Sequence, residues 1–119
     1  MTQLAEIAFF TPSVAEMAAF YRNLLGAEPV AQSEDMAIYL SGNAKIFIHK
    51  RYAPEGDDLP PENHFAFAVE DVEGACQALK DRGAQVAFEP RDYYWGRSAY
   101  LRDPDGHLIE LTQAPGAQQ

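Results

Sequence analysis

The chain is poor in cysteine: Cys76 is alone among 119 residues, so no intramolecular disulfide is available and a reducing compartment, the cytoplasm, is expected. It is also poor in positive charge. Nine Lys plus Arg stand against 18 Asp plus Glu, a net charge of −9, which excludes the broad basic surface that nucleic-acid binding requires. No apolar run approaches the roughly 20 residues of a membrane span. The amino terminus, with Glu6 and no early Lys or Arg, lacks the order of a signal peptide. What is present, 47% hydrophobic and 23% charged positions, is the make-up of one domain covering 1–119 that buries about two thirds of its unfolded surface.

Local signals divide that domain into two similar halves. Residues 4–10 read as a strand, Ser13-Val14-Ala15-Glu16 as a capping box, and Val14–Leu25 as a helix stopped by Gly26. Val14, Met17, Ala18, Tyr21 and Leu24 or Leu25 form its buried stripe. A weak strand near 29–32 and two β runs at 37–40 and 45–49, joined by Ser41-Gly42-Asn43, complete the first half. The proline-bearing, acidic stretch 50–62 reads as a linker.

The second half repeats the pattern: a strand at 63–69, Asp71 as N-cap, a helix over 72–82, and Gly83-Ala84 matching Gly26-Ala27. Glu6 and His64 are 58 positions apart, as are Ser13 and Asp71, and Ala37-Ile38-Tyr39-Leu40 aligns with Ser98-Ala99-Tyr100-Leu101. The expected fold class is α+β, two tandem βαβββ modules at 4–49 and 63–113 that form a cleft of curved mixed sheet. Each module covers one sheet face with its own helix, so the bare faces are expected to meet each other or a second copy of the chain, and a homodimer is expected.

Strand alternation sorts the first strands. Ile7, Phe9, Phe65, Phe67 and Val69 belong beneath the helices, whereas Glu6, Ala8, Phe10, His64, Ala66 and Ala68 fall on the bare face. Small and polar residues there leave room for a ligand; the competing reading is alanines packed against a close sheet in a dimer. Glu110 sits in an otherwise apolar closing run, His107-Leu108-Ile109-Glu110-Leu111-Thr112, where an ionised carboxylate is costly unless paired. Glu6, His64 and Glu110 are therefore candidate ligands for a divalent metal ion, one of Zn, Ni, Mn, Fe or Co. Taken singly, each has a plain structural alternative: a hydrogen-bonded His, a solvated strand end.

The stretch 95–111, with Asp103-Pro104-Asp105-Gly106-His107-Leu108-Ile109-Glu110-Leu111 at its end, resembles the closing motif of the vicinal oxygen chelate superfamily. That superfamily includes glyoxalase I, bleomycin-resistance proteins, fosfomycin-resistance thiol transferases and ring-cleaving dioxygenases. Phe20-Tyr21 followed by Leu24-Leu25-Gly26 is similar to its first helix. The resemblance implies metal ligands at Glu6, His64 and Glu110, and departs from the family at Glu6, where many relatives have His or Gln, and at Phe47, where a fourth glyoxalase ligand would fall. His49 on the same face is the other residue that could align with Glu110.

A metal at such a site polarises neighbouring substrate oxygens, and Glu110 or Glu6 is the candidate catalytic base. Stretch 89–97, expected as a loop, places Tyr94, Trp95 and Arg97 as candidate substrate contacts, with Phe10 and His49 beside them. Against this, the aromatics can pack under a bend while the arginines answer acidic neighbours. Cys76, on the apolar stripe of the second helix, reads as core. Two functions follow: a metal-dependent lyase, isomerase or thiol transferase acting on a small oxygenated substrate, or a metal-free protein of bleomycin-resistance type that sequesters a small molecule.

Overall fold

The computed structural model describes residues 2–113. The elements in chain order are β1 (Gln3–Thr11), α1 (Val14–Leu25), β2 (Ala31–Gln32), β3 (Met36–Ser41), β4 (Ala44–Lys50), β5 (His64–Ala68), α2 (Val72–Asp81), β6 (Gln85–Tyr93), β7 (Gly96–Arg102) and β8 (Leu108–Gln113). This is an α+β fold of two βαβββ modules. Within the described residues the chain forms two compact units, Glu6–Asn63 and the combination of 2–5 with 64–113.

In the first unit the strand order is β2-β3-β4-β1, with β1 and β4 parallel and the other pairs antiparallel. Helix α1 ends where Gly26 adopts a left-handed φ of 65° and returns its N–H to the Arg22 carbonyl, a geometry that costs a residue with a Cβ more than glycine. Its start differs from the capping box read in the sequence. Ser13 makes no side-chain cap bond; its N–H is instead bound by Thr11 Oγ1 at 3.0 Å. Val14 and Ala18 pack with Ala37, Tyr39 and Ile48, flanked by Met17, Tyr21 and Leu25, so Leu25 belongs to the stripe and Leu24 does not. Phe9 stacks on Tyr21 at 5.8 Å, placing it beneath the helix as alternation requires.

The second unit has the order β5-β8-β7-β6, with β5 and β8 parallel. Here too the expected N-cap makes no side-chain bond: Asp71 is replaced by Gln113, whose Oε1 accepts the Val72 N–H at 3.0 Å. Gly83, at φ 94°, closes the helix with its N–H on Lys80 and the Ala84 N–H on Leu79, a Schellman arrangement. Val72 and Cys76 pack with Ala99, Leu101 and Leu111, flanked by Phe67 and Val69; Cys76 is core, and burial pushes its thiol above the usual 9.0. Phe65, expected beneath this helix, stays 41% exposed because it lies further along β5 from the start of α2 than Phe67 and Val69.

Two features differ from the sequence reading. The stretch 89–97 is no loop: β6 continues to Tyr93 with register irregularities around Phe88, and a two-residue turn, Tyr94-Trp95, leads into β7. Pro90 is tolerated because β6 is the edge of its four strands. Second, the repeat alignment of 37–40 with 98–101 is out by one residue. Ala37 and Tyr39 face α1, and their counterparts facing α2 are Ala99 and Leu101. With a side-chain period of two, a one-residue shift exchanges the faces.

Candidate functional site

The bare face of the second unit follows from these registers. On β5, Phe67 turns towards α2, so His64, Ala66 and Ala68 turn away. Ala66 is the β8 partner of Glu110, and Tyr100 is the β7 partner of the same residue. Ser98 and Thr112 form the next pair along.

These residues surround one buried carboxylate. Glu110 is 5% exposed, and both its oxygens are engaged. His64 Nε2 lies 3.2 Å from Oε1, while Oε2 accepts the Ser98 hydroxyl at 2.8 Å and the Trp95 indole N–H at 3.2 Å. Ser98 Oγ is also 3.0 Å from Thr112 Oγ1. The His64 ring meets Tyr100 edge-on at 5.7 Å, and Phe88 meets Tyr100 in the same way at 5.8 Å. The expensive charge in an apolar strand is thus offset by a set of polar partners.

At the rim, Tyr93 stacks on Trp95 with 4.5 Å between ring centroids and planes 3° apart. The Arg91 guanidinium lies 5.0 Å from the Tyr93 ring centre. The Tyr93 hydroxyl is buried and has no hydrogen-bond partner among the described residues. Burial above all, with Glu110 adding and Arg91 opposing, pushes its pKa above the usual 10.0, so at neutral pH it is an O–H donor.

The sequence candidates are placed as follows. His64 and Glu110 are brought together. Trp95 is beside them, but as a donor to Glu110 rather than a bare aromatic wall. Tyr94, at the turn, is 94% exposed and touches Trp95 edge-on. Arg97 alternates with Ser98 on β7 and so turns to the opposite face, where Glu73 and Asp92 bind its guanidinium. Ser98, Tyr100 and Tyr93 were missed. Only the β7–β8 register shows that they share a face with Glu110, and the one signal available in sequence was a serine opening an apolar run.

Glu6, Phe10 and His49 belong to the first unit. Glu6 is the β1 residue opposite Lys45, and Phe10 is opposite His49. His49 donates Nδ1–H to the Lys50 carbonyl at 2.7 Å and sits among the rings of Phe10, Phe47 and Tyr52. Ala8 pairs with Phe47 as Ala66 pairs with Glu110. Phe47 is therefore the repeat counterpart of Glu110, and His49 is not.

The donor set of the second unit is suited to a divalent cation. An imidazole nitrogen and a carboxylate oxygen 3.2 Å apart have the spacing of neighbouring ligands on an ion whose bonds are about 2.0–2.2 Å long. Among the described residues no group of three or more His, Cys, Asp or Glu side chains is assembled for a metal, so this unit offers two protein donors.

A family model described as glyoxalase/bleomycin resistance protein/dioxygenase superfamily matches residues 3–111. The chain belongs to this superfamily. Among similar members, the fosfomycin resistance protein FosX of Listeria monocytogenes is 31% identical over 115 residues, covering 91% of this chain and 86% of that protein. A probable lactoylglutathione lyase of Synechocystis is 40% identical over 76 residues. That match takes in 61% of this chain and 58% of the Synechocystis protein, less than two thirds of its length. The glyoxalase fold itself is shared with methylmalonyl-CoA epimerase of Streptomyces coelicolor, at a TM-score of 0.68 and 21% identity over 97% of this chain and 96% of that one. Two of these names, a lyase and an epimerase, are names of enzymes.

Proposed function

We propose that the protein is a metal-dependent enzyme of glyoxalase type, a lyase, isomerase or thiol transferase acting on a small oxygenated substrate. The observation that carries this reading is the pair of half-buried His64 and buried Glu110, 3.2 Å apart on the sheet face opposite the helix. His64 Nε2 and Glu110 Oε1 would be the ligands, and Glu6, the repeat counterpart of His64, is the third candidate. A divalent ion held there, Zn, Ni, Mn, Fe or Co, would polarise two neighbouring substrate oxygens.

The chain's own residues do the rest. The unpartnered Tyr93 hydroxyl donates to a substrate oxygen, which relieves an unpaired buried group worth about 1–3 kcal/mol. The Trp95 and Tyr93 rings exclude water from the carboxylate. Phe10, His49 and Tyr94 are the further candidate substrate contacts. The chain works as a homodimer in the cytoplasm; exposed Phe20, Leu24 and Val30 support an apolar contact, and no helix among the described residues is long and apolar enough to cross a membrane.

Metal content and calorimetric titration with Mn²⁺, Zn²⁺ and Ni²⁺ test the reading, on wild type and on Glu6→Ala, His64→Ala and Glu110→Ala. Wild type should take up one ion per chain and gain thermal stability from it, and the His64 and Glu110 variants should lose both. Equally slight uptake by all four proteins would overturn the enzyme reading in favour of metal-free sequestration of a small molecule.

A further inference from the structure

The Glu110 carboxylate is held by more than its role as a ligand requires. Left to itself, a carboxylate turns about its last torsion and either oxygen can meet a ligand. Here the Ser98 hydroxyl donates to Oε2 at 2.8 Å, the Trp95 indole N–H is shared between Oε2 at 3.2 Å and Ser98 Oγ at 3.0 Å, and only Oε1 is presented to His64. An indole has one donor and no acceptor, and a charge-assisted bond to it is directional. The indole is itself fixed: its ring lies flat on Tyr93, the edge of Tyr94 abuts it at 4.9 Å, and the turn that carries it is two residues long. Ser98 is fully buried.

We infer that Trp95 and Ser98 are positioning residues that pin Glu110 as a one-oxygen ligand and keep it from swinging away as a mobile base. The inference rests on the metal-site reading above and deepens it. Both donors occupy the oxygen remote from His64, so the ion would meet a single preset oxygen, and the preset geometry raises affinity in the way that outer partners of metal ligands do. A group that must leave its place to collect a substrate proton is then a different one, and Glu6 is the remaining carboxylate among the candidates.

Trp95 is the only tryptophan in the chain, so a single indole N–H resonance reports the contact without metal. In ¹⁵N-labelled protein that proton should exchange slowly with water, and Glu110→Gln and Ser98→Ala should each shift its resonance. Calorimetric titration with Mn²⁺ should show affinity about tenfold to a hundredfold weaker in Trp95→Phe, which keeps an aromatic ring for the stack, and weaker again in the double variant with Ser98→Ala. Thermal unfolding checks that each variant is folded; Ser98→Ala alone carries the test if Trp95→Phe is not.

An indole resonance unmoved by Glu110→Gln overturns the inference. So does wild-type Mn²⁺ affinity in both Trp95→Phe and Ser98→Ala, which would leave the metal reading intact. No uptake by wild type, with the indole resonance moved by Glu110→Gln, would remove the metal reading and keep the pinned carboxylate.

Discussion

Ala66 lies directly beside Glu110 across the parallel pair β5–β8, and only 2% of it is exposed. Partner residues in parallel strands share a face about 4.8 Å apart, so a side chain larger than methyl at this buried position would press on the carboxylate. Ala66→Leu should crowd the carboxylate, destabilising the protein by about 1–3 kcal/mol through overpacking and displacing the His64–Glu110 contact. Urea unfolding measures the first effect, and the chemical shift of the Trp95 indole measures the second.

Tyr39 ties β3 to the first helix: its hydroxyl donates to the Ala18 carbonyl at 2.6 Å in a buried position. Tyr39→Phe keeps the ring and removes the bond. The expected loss is about 0.5–1.5 kcal/mol, read as a lower urea midpoint with an unchanged m-value.

Gly74 sits in the first turn of α2, and a Cβ there would come within 2.6 Å of Asp71 Oδ2. Two effects compete. The contact requires movement, but the Asp71 carboxylate makes no cap bond and is the free end of a flexible side chain. Alanine in a helix is favoured over glycine by about 0.8–1.0 kcal/mol. Propensity should win, and Gly74→Ala should raise the thermal midpoint; a lowered midpoint would mean that Asp71 is held in place.

The turn before β8 carries the clearest acid dependence. Asp103 accepts the backbone N–H of His107 and of Asp105 at 2.9 and 3.0 Å and lies 2.9 Å from the His107 ring. The backbone bond from His107, opposed by desolvation and aided by the His107 ring, holds its carboxyl below the usual 3.8. A lowered carboxyl pKa stabilises the folded state above 3.8, and that contribution disappears as pH falls through the folded value. Carboxyl NMR should show Asp103 titrating below 3.8, and the stability gap between wild type and Asp103→Asn should close from about pH 5 to about pH 2.

The amino-acid sequence by itself determined the βαβββ plan, both helices to within one residue and the glycines that end them. These are consequences of neighbours in the chain: Gly26 and Gly83 can take a positive φ, and the apolar stripe through Val14 and Ala18 has the helical period. It also singled out Glu110, because a charge between apolar neighbours needs a partner, and His64, by its repeat relation to Glu6 on the bare face. The partners themselves were decided by tertiary structure. Gln113 replaces a predicted cap, Trp95 and Ser98 hold Glu110, and Arg97 turns to Glu73 instead of the site. Each depends on strand register, where one residue of shift reverses which face a side chain joins. Register is set by long-range pairing between β7 and β8 and by the irregularities of β6, and no local run of residues encodes it.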